Sequence, residues 1–113
     1  MEMWRSRYKR NAEPGRIKEN FALFDTILAD LRAGRTTWDE AQKVGFFDDG
    51  RLYFVGYEMA KSIERYRGAR RIGELFEESP AVFFQEYITL YREHSDITAR
   101  FASATETFCE TLH

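Results

Sequence analysis

The chain has 113 residues, 43% hydrophobic and 32% charged, with a formal net charge of −2. That length suits one core burying about two-thirds of the unfolded surface, and the balanced charge excludes a global pull toward nucleic acid or acidic membranes. The single Cys109 excludes an internal disulfide, and no apolar run approaches the ~18 residues of a membrane span.

Residues 1–15 carry Arg5, Arg7, Lys9 and Arg10 and end in Pro14-Gly15. Poor periodicity and that breaker pair predict a loosely ordered basic lead-in, with a single helical domain over 16–113. From Arg16 to Arg32 the apolar residues Ile17, Phe21, Phe24, Leu28 and Leu31 recur at helical spacing, and Gly34 is a suitable stop. Thr37-Trp38-Asp39-Glu40 fits a capping box and opens a short helix to about Val44.

Gly45-Phe46-Phe47-Asp48-Asp49-Gly50 reads as a turn anchored by two aromatics. The next helix should run from about Arg51 to Arg67, with Leu52, Gly56, Met59, Ile63 and Tyr66 on its inner seam and Tyr53, Tyr57 and Ala60 beside it. Glu58, Lys61, Ser62 and Arg65 fall on the opposite, wet face, and Gly68 ends the helix. A shorter helix should cover Ala69 to Glu77, burying Ile72, Leu75 and Phe76. Ser79-Pro80 starts another, Ser capping and Pro filling the first turn, with Phe83, Phe84, Tyr87, Ile88 and Tyr91 on one stripe. Ser95 or Asp96 should cap a last helix with Ile97, Phe101, Ala104, Phe108 and Leu112 inward. The expectation is an all-α array of five to six helices, neighbours joined by short loops running antiparallel.

Within the fourth of these segments, Tyr53-x-x-Gly56 is the feature with most chemical content. Glycine in a helix interior loses about 1 kcal/mol against alanine, so either a close neighbour or a need for space is expected at Gly56. A phenol is a neutral donor at neutral pH; beside a scissile carbonyl it can stabilise an oxyanion, a contribution of about 2.7–4 kcal/mol for one such donor. Read structurally instead, Tyr53 is an aromatic at the core edge and Gly56 a helix-crossing point.

The run Tyr53-x-x-Gly56-Tyr57-x-Met59-Ala60-x-x-Ile63 resembles the segment downstream of the metal site in gluzincin-type peptidases of the His-Glu-x-x-His superfamily. The order of blocks is similar to that of zinc-dependent peptidases of bacteria. A Leu- and Phe-rich helix is followed by Gly45 to Arg51, then the Tyr-x-x-Gly helix, then Tyr66, Gly68, Ile72 and Leu75, and Phe83-Phe84-Gln85-Glu86-Tyr87. The resemblance covers roughly Ile17 to Tyr91. It implies that Tyr53 stabilises a transition state, that Gly56 and Tyr57 line a substrate cleft, and that zinc serves the full-length family.

The chain departs from that pattern where the metal would be. Zinc peptidase chemistry needs two histidines four apart on a helix, a glutamate as general base and a further ligand, whereas His94 and His113 are nineteen apart and late. No metal or cofactor is therefore expected in this chain. It resembles the C-terminal helical lobe of such an enzyme without its metal site, a truncated peptidase not catalytic alone. Its expected partners are a missing N-terminal metal-binding lobe, or other copies through an exposed apolar strip, with no nucleic acid and no membrane. The alternative is a self-sufficient helical interaction module in which the Tyr-x-x-Gly helix is ordinary packing. With no signal or transmembrane segment, the compartment is unknown and cytoplasmic by default.

Other motifs point to structure. Cys109 and His113 at helical spacing, with His94, are too few for a metal site, and Cys109 reads as a semi-buried free thiol. Asp48-Asp49-Gly50 lacks the later ligands of a calcium loop and reads as helix capping. Arg65, Arg67, Arg70 and Arg71 sit at a helix C-terminus, where cations complement the dipole, diluted by Glu64, Glu74, Glu77 and Glu78. A nucleic-acid accessory role would show as salt-sensitive binding lost when those arginines are neutralised.

Overall fold

The computed structural model describes residues 2–46 and 50–112, with side chains from Ser6 onward. Among the described residues the protein is all-α: α1 (Glu2–Ala12), α2 (Pro14–Arg32), α3 (Trp38–Phe46), α4 (Arg51–Arg67), α5 (Ala69–Phe76), α6 (Pro80–Glu93) and α7 (Ser103–Thr111). That is one helix more than the expected five to six, and the additional one is α1, in the segment read as a loose lead-in. Pro14, read as part of a breaker pair, lies inside a helix. It occupies the first turn of α2, where its missing N–H leaves no hydrogen bond unmade. None of these helices is long and apolar enough to cross a membrane.

The chain divides into two units, Met1–Gly56 and Tyr57–His113. In the first, α1 packs on α2 and α2 on α3. Helix α2 ends at Gly34, whose φ of 73° is a left-handed conformation. The Gly34 amide bonds the Leu31 carbonyl and the Arg35 amide bonds the Asp30 carbonyl, the Schellman arrangement that satisfies the last carbonyls of a helix. The capping box at α3 forms by half. The Glu40 amide donates to Thr37 Oγ1 at 3.2 Å, while the Glu40 carboxylate accepts from the Thr36 hydroxyl.

The interior of this unit holds Phe21, Ala41, Phe54 and Val55 together with two buried asparagines. Arg51 Nε donates to Asn20 Oδ1 at 2.8 Å, Asn20 Nδ2 to Asn11 Oδ1 at 2.7 Å, and Asn11 Nδ2 to the Arg7 carbonyl at 2.8 Å. Chained this way, the buried amides do not carry the cost of stranded polar groups.

In the second unit α6 packs on both α5 and α7. Met59, Ile63, Leu75, Tyr87, Ile88, Leu90, Tyr91, Ile97, Phe101 and Cys109 are buried. Gly68 joins α4 to α5 with a φ of 88°, so the turn between them is a single residue. Three departures from the periodic reading follow from packing. Of the α4 seam read through Leu52, Gly56, Met59, Ile63 and Tyr66, Met59 and Ile63 are buried, but Val55 joins them while Leu52, Gly56 and Tyr66 are only half-buried, a partial rotation of the buried row. Phe76 closes α5 but is 73% exposed, its ring stacked near Phe83 rather than sealed.

The largest departure is at residues 94–102, expected as the start of the last helix, which are irregular. Here Ile97, Ala99 and Phe101 are buried while Thr98 and Arg100 are exposed, the alternation of extended chain. The Tyr87 hydroxyl donates to the Ala99 carbonyl at 2.6 Å, and Arg100 donates from Nη2 to the Tyr91 carbonyl. Helix α7 therefore starts only at Ser103 and buries Thr105 and Cys109, leaving Ala104 and Leu112 exposed.

Candidate functional site

Helix α4 opens at Gly50, whose φ of 67° turns the chain, and the Phe54 amide bonds the Gly50 carbonyl at 3.2 Å to close the first turn. Phe54 points inward, 5% exposed, with Tyr8 at 6.5 Å between ring centroids. Its neighbour in sequence, Tyr53, therefore points out: the ring is 56% exposed and meets Phe54 edge-on at 5.6 Å. Asp48 and Asp49, read as caps for this helix, lie outside the described residues.

Gly56 is half-buried, and a Cβ built there would meet nothing within 4 Å. The close approach that a helical glycine suggests is found at Gly45 instead, where a Cβ would lie 2.4 Å from Leu52 Cδ1. Tyr57 is 39% exposed. Four residues of helix turn the chain by about 40° beyond a full circle, so Tyr53 and Tyr57 lie on one side of α4 with the open space of Gly56 between them in sequence.

Further along α4, Tyr57, Ala60, Lys61, Glu64 and Arg65 line a groove of about 420 Å³. The sequence assigned Lys61 and Arg65 to a solvated face; the repeat Tyr57, Lys61, Arg65 at four-residue steps was the available signal that they share a row.

A second cluster, not singled out from sequence, joins Tyr66, His94 and Asp96. The Tyr66 hydroxyl donates to the Asp96 carboxylate, and the His94 ring stacks on the Tyr66 ring at 3.9 Å. That hydrogen bond holds the Asp96 carboxyl below the usual carboxylate range and raises the Tyr66 phenol. Beside it, Arg67 Nη2 bonds Glu93 at 2.8 Å and Arg71 Nε bonds Glu86 at 3.0 Å. On α6 and α7, Tyr91 donates to Glu106, and Arg92 pairs with Glu110 at 2.7 Å. Burial raises the Tyr87 and Tyr91 phenols, so both are neutral donors.

These pairings decide the fit to a metal. Among the described residues, no group of three or more His, Cys, Asp and Glu could hold an ion. Glu86, Glu93, Glu106 and Glu110 already face guanidinium groups, His94 is committed to a ring stack, and Cys109 is buried. His113 lies outside the described residues. The donor set of the described residues does not fit zinc.

No curated protein and no solved structure is detectably similar to the chain. Its residues 2–96 match the family model described as "Putative zinc dependent peptidase (DUF5700)". Covering most of the 113 residues, that match means the chain belongs to this family.

Proposed function

We propose that the chain is the helical lobe of a zinc-peptidase-like protein, catalytically incomplete by itself, with Tyr53 as the residue that stabilises the transition state. The observation that carries this reading is the exposure of Tyr53 in the first turn of α4, 56% accessible, where a core aromatic would be sealed. On this reading its hydroxyl donates a hydrogen bond to the oxyanion that forms when the substrate carbonyl becomes tetrahedral. Gly56 and Tyr57 line the cleft beside it, the glycine keeping a substrate chain clear of side-chain atoms. The metal ligands and general base come from a lobe bearing His-Glu-x-x-His, which these residues do not supply.

Zinc titration against a chromophoric chelator, paired with a peptidase assay, tests the reading. The chain alone should take up no stoichiometric, tightly held zinc and turn over no peptide; either result in the opposite sense overturns it. Activity should appear when the chain is produced joined to a His-Glu-x-x-His lobe encoded upstream. Tyr53→Phe should then lower kcat by about 10²–10³. A Tyr53→Phe variant of full activity would remove the role from Tyr53. A chain that melts sharply as a monomer or symmetric dimer, indifferent to Tyr53→Phe and to the added lobe, would instead be an independent interaction module.

A further inference from the structure

The groove along α4 has walls of two kinds. Tyr57, Lys61 and Arg65 follow one another at four-residue steps and form one row, while Ala60 and Glu64 form the row beside it. Among the described residues the side chains of Lys61 and Glu64 make no ion pair. Arg65 is held loosely, 3.9 Å from Asp96 and over the face of Tyr66. By contrast, Arg67, Arg71 and Arg92 are closely paired with carboxylates. The groove thus presents an ammonium with no ion-pair partner among the described residues, a second cation one turn away, a carboxylate in the adjoining row and an aromatic ring at one end.

We infer that this groove binds an acidic peptide segment lying extended along α4. At 1.5 Å rise per residue, Tyr57, Lys61 and Arg65 recur at about 6 Å. Alternate side chains of an extended peptide recur at about 6.6 Å, so its side chains on one edge fall in step with that row. Carboxylates at alternate positions meet Lys61 and Arg65, and the Tyr57 ring packs on the residue before them. Glu64, in the second row, accepts from the peptide's backbone N–H groups. The span from Tyr57 to Arg65, about 12 Å, matches about five extended residues, and the volume falls within the roughly 300–1,000 Å³ of ordinary ligand sites. Glu64 favours a peptide over nucleic acid, because a peptide backbone offers it N–H donors and a sugar–phosphate backbone does not. The inference shares Tyr57 with the proposed cleft but rests on charge and spacing, so it fails or stands on a binding measurement that needs no catalysis.

The test is fluorescence anisotropy of the whole chain with a short dye-labelled peptide of alternating Glu and Ala, beside its Gln-for-Glu counterpart. The Glu peptide should bind saturably and about tenfold or more tighter than the Gln peptide, weakening as salt rises. The Lys61→Ala/Arg65→Ala protein should lose that preference, and Lys61→Arg should keep it. Lys43→Ala/Arg70→Ala, which removes as much charge elsewhere, should leave binding unchanged. Equal binding of the two peptides would overturn the inference. So would an unaltered Lys61→Ala/Arg65→Ala protein, an equal loss in Lys43→Ala/Arg70→Ala, or a single-stranded oligonucleotide that binds the groove more tightly than the Glu peptide.

Discussion

In Met1–Gly56 the most buried side chains include Asn20 and Asn11, 1% and 3% exposed, and they form a relay that ends on Arg51. In Tyr57–His113 the corresponding places belong to rings: Tyr87 lies 5.5 Å from Tyr91 and 6.0 Å from Phe101, each edge-on. One interior is closed by directional amides, the other by bulky apolar area with hydroxyls turned to carbonyl or carboxylate partners. The difference bears on how each unit should fail. An apolar interior loses stability in proportion to the volume removed, whereas a polar relay fails when any member is withdrawn and the rest are stranded.

Truncating the ring at the centre of the second unit should have the largest effect. Tyr87→Ala is expected to destabilise by about 3–5 kcal/mol in denaturant unfolding. Tyr87→Phe, which strands only the Ala99 carbonyl, should cost about 1 kcal/mol. Comparable losses in the two variants would show that the hydroxyl, not the ring, carries the interior.

In the first unit Asn20→Ala should cost about 1–3 kcal/mol, because it leaves both Asn11 and the Arg51 Nε short of a partner. The informative comparison is Asn11→Ala/Asn20→Ala. If the relay behaves as a unit, the double variant should be less destabilised than the sum of the single ones, read by the same unfolding curves.

Two helical glycines provide a finer contrast. Gly45→Ala drives a methyl against Leu52, at 2.4 Å from Cδ1 before relaxation, and should destabilise by about 1–2 kcal/mol after the gain in helix propensity. Gly56→Ala meets open space and should stabilise by about 0.5–1 kcal/mol. Melting temperatures moving in the same direction would contradict this assignment of space.

The smallest effect is on pH dependence. The Tyr66 hydroxyl lowers the Asp96 pKa, so this pair adds stability above the ordinary aspartate value of 3.8 and loses it as pH falls through the lower folded value. The Tyr66 pKa is raised by the same bond, so on the alkaline side its contribution is intact below 10.0 and is lost as pH climbs through the folded value. Tyr66→Phe should therefore flatten the acid limb of a plot of melting temperature against pH, and the alkaline limb beyond pH ~10. An unchanged acid limb would mean that the contact is not maintained in solution.

Helix existence was legible from the sequence wherever a strong periodic pattern met a stop signal. The bounds of α4, the glycine ends at Gly34 and Gly68, and the start of α6 with Pro80 in its first turn all follow from local rules. What periodicity misread was orientation. An apolar stripe two or three residues wide can rotate on its axis without changing its spacing, which is why Met59 and Ile63 are buried as read while Val55, left outside the seam, replaces Leu52, Gly56 and Tyr66. Residues 94–102 fit a helical pattern equally well, but Ile97, Ala99 and Phe101 also alternate, and one sequence cannot say which period wins.

For the site, the Tyr-x-x-Gly pattern and the family were readable from the sequence, and so was the absence of a His-Glu-x-x-His pair in these residues. Only tertiary structure decided that Tyr53 is accessible, that Gly45 rather than Gly56 is the close approach, and that Lys61 and Arg65 border a groove. The physical reason is the range of the forces. Capping, proline geometry and helical spacing act over a few residues and are written locally. Which face is buried, and which charge finds a partner, depends on side chains far along the chain, such as Tyr66 with Asp96 or Asn20 with Arg51.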